Sequence, residues 1–165
     1  MTQICFDDGP CELTELALDL LAAARRTATF ALVGEKALER PETVARIVRE
    51  GHTVANHSMT HARLSDLAPA DVEREVDECT AALRSIGAEP VALRPPFVAS
   101  NAIVEEVAGR RGLTLLAQSS AGDYLYDDPD ELAHACRSYT SFLGLHDTHK
   151  VTVAALPAIL EHLPE

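Results

Sequence analysis

The chain has 165 residues, a formal net charge of −12, 47% apolar residues and no tryptophan. That length favours one domain, residues 1–165, able to bury roughly 70% of its unfolded surface without covalent staples. The acidity argues against nucleic acid and anionic membrane surfaces as partners, and no apolar run is long enough to span a bilayer.

Apolar runs and helical patterns alternate from end to end. The first run, Ile4–Phe6, reads as a buried strand that stops at Asp7-Asp8-Gly9-Pro10. Leu13–Ala24 repeats Leu at helical spacing, and Ala28–Val33 is the second strand. Pro41–Arg49 opens with Pro at a first-turn position, and Thr53–Ala55 is the third strand. The longest helix, Pro69–Ile86, carries acidic residues early and Arg84 late, as the helix dipole favours. Val91–Leu93 is the fourth strand. Asn101–Arg111 is a helix capped by Asn101 and stopped at Gly112. Leu113–Ala117 is the fifth strand, Asp130–Tyr139 a helix, Phe142–Leu145 the sixth strand. Thr152–Leu163 is a final helix, expected to break at Pro157.

Six strand–helix units in series imply an α/β fold with parallel strands and helical crossovers, as a barrel or an open sheet. No repeat, linker or low-complexity segment divides the chain. Cys5, Cys11, Cys79 and Cys136 show no C-x-x-C spacing and read as small buried hydrophobes, with Cys11 singled out by its place beside the acidic turn. No basic and apolar leader precedes the first strand. As written, this places the chain in the cytoplasm; a chain trimmed of its leader would be secreted and read the same.

In parallel α/β folds, sites form where strands end. Asp7 and Asp8 follow strand one, His57 and His61 strand three and Arg94 strand four. Asp123 lies beyond strand five, and His146 and Asp147 end strand six. Strand neighbours point to opposite faces, so Gly9-Pro10 is expected to supply the turn that brings both aspartates to one site. Two carboxylates held together call for a cation. His57 and His61, four residues apart, complete a two-histidine, one-carboxylate set for a divalent metal. Taken alone, that pair of histidines carries little weight, since the chain has seven. Arg94, fixed between a strand and two prolines, suits a charge-assisted hydrogen bond to Asp7. The apolar lead-in to His146 and the adjacent Asp147 suggest a buried, oriented imidazole. His52, His134, His149 and His162 have no clear partners and read as surface residues, though His149 is close enough to His146 to reach the mouth of the site. Tyr126 suits either the site or the core.

Phe6-Asp7-Asp8-Gly9-Pro10, His57-Ser58-x-x-His61, Arg94-Pro95-Pro96-Phe97, Asp123-Tyr124 and Leu143-x-Leu145-His146-Asp147 fall in the order of five motifs. They resemble those of the NodB-homology polysaccharide deacetylases, carbohydrate esterase family 4, over nearly the whole chain. The resemblance implies a distorted (β/α) barrel and metal-dependent hydrolytic removal of acetyl groups, mainly from N-acetylated sugars of chitin type; with no leader in the sequence as written, a short oligosaccharide or a small acetylated metabolite is the expected substrate. It implies Asp8, His57 and His61 as metal ligands, Asp7 as general base and His146 as general acid. Arg94 would hold Asp7, and Asp123 would orient His146. Phe97 would supply an oxyanion-binding N–H, and Tyr124 and Leu145 would meet substrate. Zinc is the expected metal, with cobalt, nickel or manganese able to substitute.

Four departures accompany the resemblance. Tyr124 stands where the family has Trp, Val98 where it often has Gly, and Phe30-Ala31 where it has an aromatic pair. The chain also ends at Glu165 without the family's further strand, so the barrel is expected to be open, or closed by a partner chain as a homo-oligomer. Three rival readings are an O-acetyl (xylan-type) esterase, a catalytically weak sugar-binding relative, and a metal-free relative acting on ureides. The intact set Asp8, His57 and His61 speaks against the last.

Overall fold

The computed structural model describes residues 2–117 and 119–163; the ends of the expected 1–165 domain, Met1 and Glu165, lie outside them. Six strands form one all-parallel sheet in the order β5-β4-β3-β2-β1-β6. They are β1 (Gln3–Gly9), β2 (Thr29–Leu32), β3 (Thr53–Asn56), β4 (Ala92–Leu93), β5 (Thr114–Leu115) and β6 (Phe142–His146). The helices are α1 (Glu12–Ala23), α2 (Gly34–Glu39), α3 (Pro41–Arg49), α4 (Pro69–Ser85), α5 (Ala102–Arg110), α6 (Pro129–Cys136) and α7 (Lys150–His162). The sheet curls into a half-barrel that leaves β5 and β6 as edges.

The two faces of the sheet are filled differently. On the helix side lies the main core, with Ile4, Phe6, Phe30, Leu32, Leu143 and Leu145 packed against Leu18, Leu21, Leu83, Leu156 and Ile159. The concave side carries the small residues Cys5, Ala31, Ala55 and Ala92 together with Phe142. Small side chains there leave room inside the half-barrel for one large one, and the fully buried Arg94 fills it. The β-period of two makes this division possible, since alternate residues of one strand serve opposite faces.

Several boundaries differ from the sequence reading. Helix α2 was absent from it; at six residues it is too short to show a period, and it starts at Gly34, where any side chain would strike Met59. Pro157 does not break α7, which runs through it. The backbone bond lost there is offset by burial of Leu156, Ile159 and Leu160 around it. Asn101 does cap α5, accepting from the N–H groups of Ile103 and Val104. His52 is a core residue rather than a surface one. Its Nδ1 accepts from the N–H of Ala28, and its ring meets Phe30 edge-on at 5.2 Å. Tyr126 packs inward against the main core. Among the described residues no helix is long and apolar enough to cross a membrane.

Candidate active site

The two aspartates are brought together by a β-bulge. Against β6, strand β1 pairs residue for residue up to Asp7 opposite His146. Against β2, Phe6 faces Phe30 and Gly9 faces Leu32, so Asp7 and Asp8 share the single partner Ala31. The extra residue re-aims its side chain. Asp8 takes a left-handed φ of 72°, and its carbonyl accepts a 2.8 Å hydrogen bond from Lys36 Nζ. This bulge within the strand, not the following Gly9-Pro10, turns both carboxylates into one cavity. No sequence signal marks it, because bulge positions other than glycine carry little compositional trace.

The loop after β3 delivers the two histidines. Asn56 at the strand end donates to Val76 O and Thr80 Oγ1 and accepts from the Ser58 N–H, which starts the loop in a fixed direction. Ser58 and His61 both adopt φ of 63°. Between the histidines, Thr60 gives its N–H and its hydroxyl to the buried carboxylate of Glu75, each at 2.9 Å. His57 Nε2 and His61 Nε2 then lie 3.1 and 2.9 Å from the same oxygen, Asp8 Oδ1. The three ligand atoms fall within 4.8 Å of one another.

These residues fit a divalent cation. His57 Nδ1 bonds the carbonyl oxygen of Arg94, which can only accept, so Nδ1 carries the proton. Its other nitrogen, Nε2, faces the Asp8 carboxylate oxygen; a cation between them would be met by the Nε2 lone pair, and without one the ring meets Asp8 as a proton donor. Burial works to raise the Asp8 carboxyl, but the hydrogen bonds and charge of His57 and His61 outweigh it and hold Asp8 well below the usual carboxylate range. One anion and two imidazoles leave open positions for water and substrate.

Asp7 is held from behind. Arg94 Nε and Nη2 lie 3.0 and 2.9 Å from Asp7 Oδ2, and Cys5 Sγ lies 3.2 Å from Oδ1. The guanidinium also bonds the carbonyls of Ala117 and Ser119 and stacks 5.2 Å over Phe142. Cys5 is thus a buried thiol on the polar side of the interior, not only a small hydrophobe. Burial, with the nearby Asp7 charge, pushes it well above the usual thiol range and keeps it protonated as a donor.

His146 ends β6 with its Nδ1 2.6 Å from Asp123 Oδ1. Asp123 also accepts from the His146 N–H at 2.7 Å and from the Thr152 hydroxyl. Burial lowers the His146 pKa, but the hydrogen bond and charge of Asp123, helped by Asp8 and Asp7, outweigh it and raise the ring above its ordinary value. For Asp123, burial raises and the His146 and Thr152 bonds lower; the net direction is down. Asp147, expected to help orient the imidazole, points away and bonds Thr14 at 2.6 Å instead.

A cavity of about 350 Å³ joins these groups and is lined by Asp7, Asp8, His57, His61 and His146. Phe97 and Tyr124 form parts of its wall, each more than half exposed. The Phe97 ring lies 4.7 Å from His61, and the Tyr124 ring stands edge-on to His146 at 5.8 Å. Phe97 and Val98 both take left-handed φ, 60° and 54°, a conformation that suits glycine better than valine. Leu145 is fully buried in the helix-side core and does not line the cavity. Three lining residues escaped notice or were set aside: Arg63, Ser120 and His149, whose ring lies 5.6 Å from His146. Arg63 and His149 are two and three residues beyond proposed site histidines, a signal that proximity in sequence carried. Cys11, beside the turn, faces Asp147 O with its Sγ rather than the cavity.

Residues 1–116 match the family model described as polysaccharide deacetylase. The chain is 32% identical to a chitin deacetylase from Pestalotiopsis sp., over 93% of this chain and 55% of that protein. It is 48% identical to a chitooligosaccharide deacetylase from Sinorhizobium fredii over 49% of this chain and 38% of that one. It therefore spans about half the length, or less, of these relatives. A family 4 carbohydrate esterase from Streptomyces lividans, solved with acetate, superposes with a TM-score of 0.91 at 29% identity, covering 98% of this chain and 86% of that one. On the family match and the full-length fold together, the chain belongs to the polysaccharide deacetylase family.

Proposed function

We propose that the chain is a metal-dependent hydrolase that removes acetyl groups from N-acetylated sugars of chitin-oligosaccharide type, and that residues 1–165 act as a single catalytic domain. The observation that carries this reading is the register pairing of Asp7 with His146 across β1 and β6, beside the Asp8, His57 and His61 cluster. A base and an acid on adjacent strands, both lining one cavity, would flank the acetamide bound there. Acid–base chemistry needs groups with different proton affinities on either side of the reacting bond.

Asp8, His57 and His61 would hold the cation, with zinc the first choice for two imidazoles and a carboxylate and cobalt, nickel or manganese able to replace it. When bound, it supplies Lewis acidity that polarises a carbonyl and acidifies water. Asp7, held by Arg94, accepts the proton of the attacking water. Phe97 lines the cavity, and its N–H would donate to the developing oxyanion; losing one such donor costs roughly 10²–10³ in rate. His146 gives its Nε2 proton to the departing amine, and Asp123 keeps the ring in the required tautomer. Tyr124 offers an apolar edge to the sugar.

The deciding experiment is metal analysis of the purified protein followed by an acetate-release assay on N-acetylglucosamine oligomers, with acetylxylan as the ester control. The expected result is one equivalent of zinc and acetate from the oligomers. Undiminished release by protein verified free of metal would sink the mechanism. Release from acetylxylan alone would replace the amide substrate by an ester.

A further inference from the structure

The cavity contains one guanidinium that the proposed chemistry does not use. Arg63 lies two residues beyond His61, at the cavity wall, with its Cζ 4.5 Å over the ring of Phe97. Phe97 in turn lies against His61, with ring centroids 4.7 Å apart and planes tilted by 55°. Imidazole, aromatic ring and guanidinium thus form one continuous row of contacts from His61 to the half-exposed Arg63. The other arginine near the site, Arg94, is fully buried and consumed by Asp7 and two backbone carbonyls. Arg63 is different: its side chain is 46% exposed, and its ion-pair partner Asp66 sits 3.9 Å away and is itself 70% exposed. An exposed pair at that distance contributes little and does not saturate the donors.

A guanidinium stacked on an aromatic ring is pre-oriented, and its planar fork matches a carboxylate or sulfate through two parallel hydrogen bonds. Asp7 and Asp8 are the acidic residues lining this cavity; the first is paired with Arg94 and the second is tied to the histidines. His149 adds a further donor beside His146 and Tyr124. The Phe97 ring alone separates Arg63 from the metal ligand His61, 4.5 Å from the one and 4.7 Å from the other, so a group meeting Arg63 belongs to the reacting sugar or to its immediate neighbour.

We propose that Arg63 forms an oxyanion-binding subsite on the outer wall of the cavity, and that this selects an N-acetylated saccharide bearing a carboxylate or sulfate on or next to the reacting sugar. This rests on the hydrolase reading above for its catalytic consequence, but not for binding. Three trisaccharides of N-acetylglucosamine separate the cases: the neutral trimer, a 6-O-sulfated trimer and a trimer with a carboxylate at C6. Affinity by calorimetry and kcat/KM by acetate release are measured on the zinc-loaded protein and on Arg63→Gln, in 50 and 500 mM NaCl.

At least one acidic trimer is expected to bind about tenfold more tightly than the neutral one at low salt, with the advantage residing in KM when turnover is measured. Which acidic trimer gains identifies the anion. Arg63→Gln and high salt should each bring the acidic-to-neutral affinity ratio close to one. Equal affinity for all three trimers in the unaltered protein overturns the subsite, as does an equal loss for acidic and neutral trimers in Arg63→Gln. Absence of acetate release from every trimer overturns the hydrolase reading alone, because the affinity ratio still reports on Arg63.

Discussion

Arg94 joins Asp7 to the segment that crosses from one open edge of the half-barrel to the other. Its Nε and Nη2 hold Asp7 Oδ2 while Nη1 and Nη2 reach the carbonyls of Ala117 and Ser119. Two residues further on, the Ala121 N–H bonds Gly144 O on β6. The guanidinium therefore fixes the proposed base and ties down the strand-edge crossing at once. Arg94→Met should leave a buried carboxylate without its cation, at a cost of about 3–5 kcal/mol. Urea denaturation would read this as a lower midpoint. Asp7→Asn, by contrast, should keep bound zinc and lose turnover; a variant with less than half the zinc would contradict the separation of base from ligands.

The same packing makes Gly144 irreplaceable. A Cβ there would lie 2.3 Å from Ser119 O and 2.8 Å from Arg94 Nη2. Backbone on one side and a saturated guanidinium on the other leave neither free to yield. Gly144→Ala is expected to destabilise the fold by about 1–3 kcal/mol, the range for overpacking, and to depress kcat through Asp7. Wild-type thermal stability in that variant would mean the crossing segment shifts freely and is not held by Arg94.

Metal retention should depend on a residue that touches no metal. Glu75 fastens Thr60, midway between His57 and His61, in a loop that already carries two left-handed residues. Glu75→Gln keeps one acceptor for the Thr60 N–H but forces the Thr60 hydroxyl to turn and accept, and both bonds lose their charge assistance. Such supporting partners typically alter metal affinity 10–100-fold. Competition with a chromophoric chelator should show a weaker zinc Kd for Glu75→Gln and stoichiometric loss for His57→Ala. An unchanged Kd in Glu75→Gln would show that the loop holds its shape unaided.

Much of the site was legible because chemistry at strand ends follows from topology. Once six strands are parallel, Asp8, His57, Arg94 and His146 must emerge on one side, and the structure places them there. What the sequence hid depends on contacts distant along the chain. The bulge at Asp7-Asp8 appears only when β1 meets both β2 and β6. The burial of His52 depends on Ala28 and Phe30 across the sheet. Leu145 follows the strand's alternation: with His146 turned to the cavity, its neighbour must face the helices, so proximity to the proposed acid did not make it a wall residue. Asp147 is likewise turned away from the ring it adjoins.

The pH–rate profile should carry the signature of the His146–Asp123 pair. The proposed acid works only when protonated, so activity falls as pH rises through the His146 pKa, which lies above its ordinary value in the fold. Asp123→Asn removes the charge and leaves only a neutral acceptor for the ring, so the alkaline limb should move to lower pH. Stability follows the same linkage. The raised His146 contributes below the ordinary histidine pKa and loses that contribution as pH rises through the folded value. The lowered Asp123 contributes above the ordinary aspartate pKa and loses its share as pH falls through its folded value. An alkaline limb unmoved in Asp123→Asn would detach that limb from His146.

Asp147 sets a trend in stability opposite to that of Asp123. It is fully buried, with Oδ2 on Thr14 and Oδ1 without a hydrogen-bond partner among the described residues. Burial pushes its carboxyl up to about 7; the Thr14 bond opposes this, and the charges of Asp8 and Asp7 add to it. The unfolded chain releases this proton near the ordinary aspartate value, about 3.9, while the folded chain keeps it to about neutrality. Folding stability should therefore decline as pH rises between these values and level off above the higher one. Asp147→Asn removes the titration and keeps an acceptor for Thr14. At pH 8, in the same zinc buffer, it should be more stable than the unaltered protein by about 1–3 kcal/mol, a rise in Tm of roughly 2–4 °C per kcal/mol. At pH 4 the order should reverse or vanish, since the acid is then protonated in both states and the Asn NH₂ lacks a partner. A stability difference that stays constant from pH 4 to pH 8 would show that Asp147 does not titrate in this range.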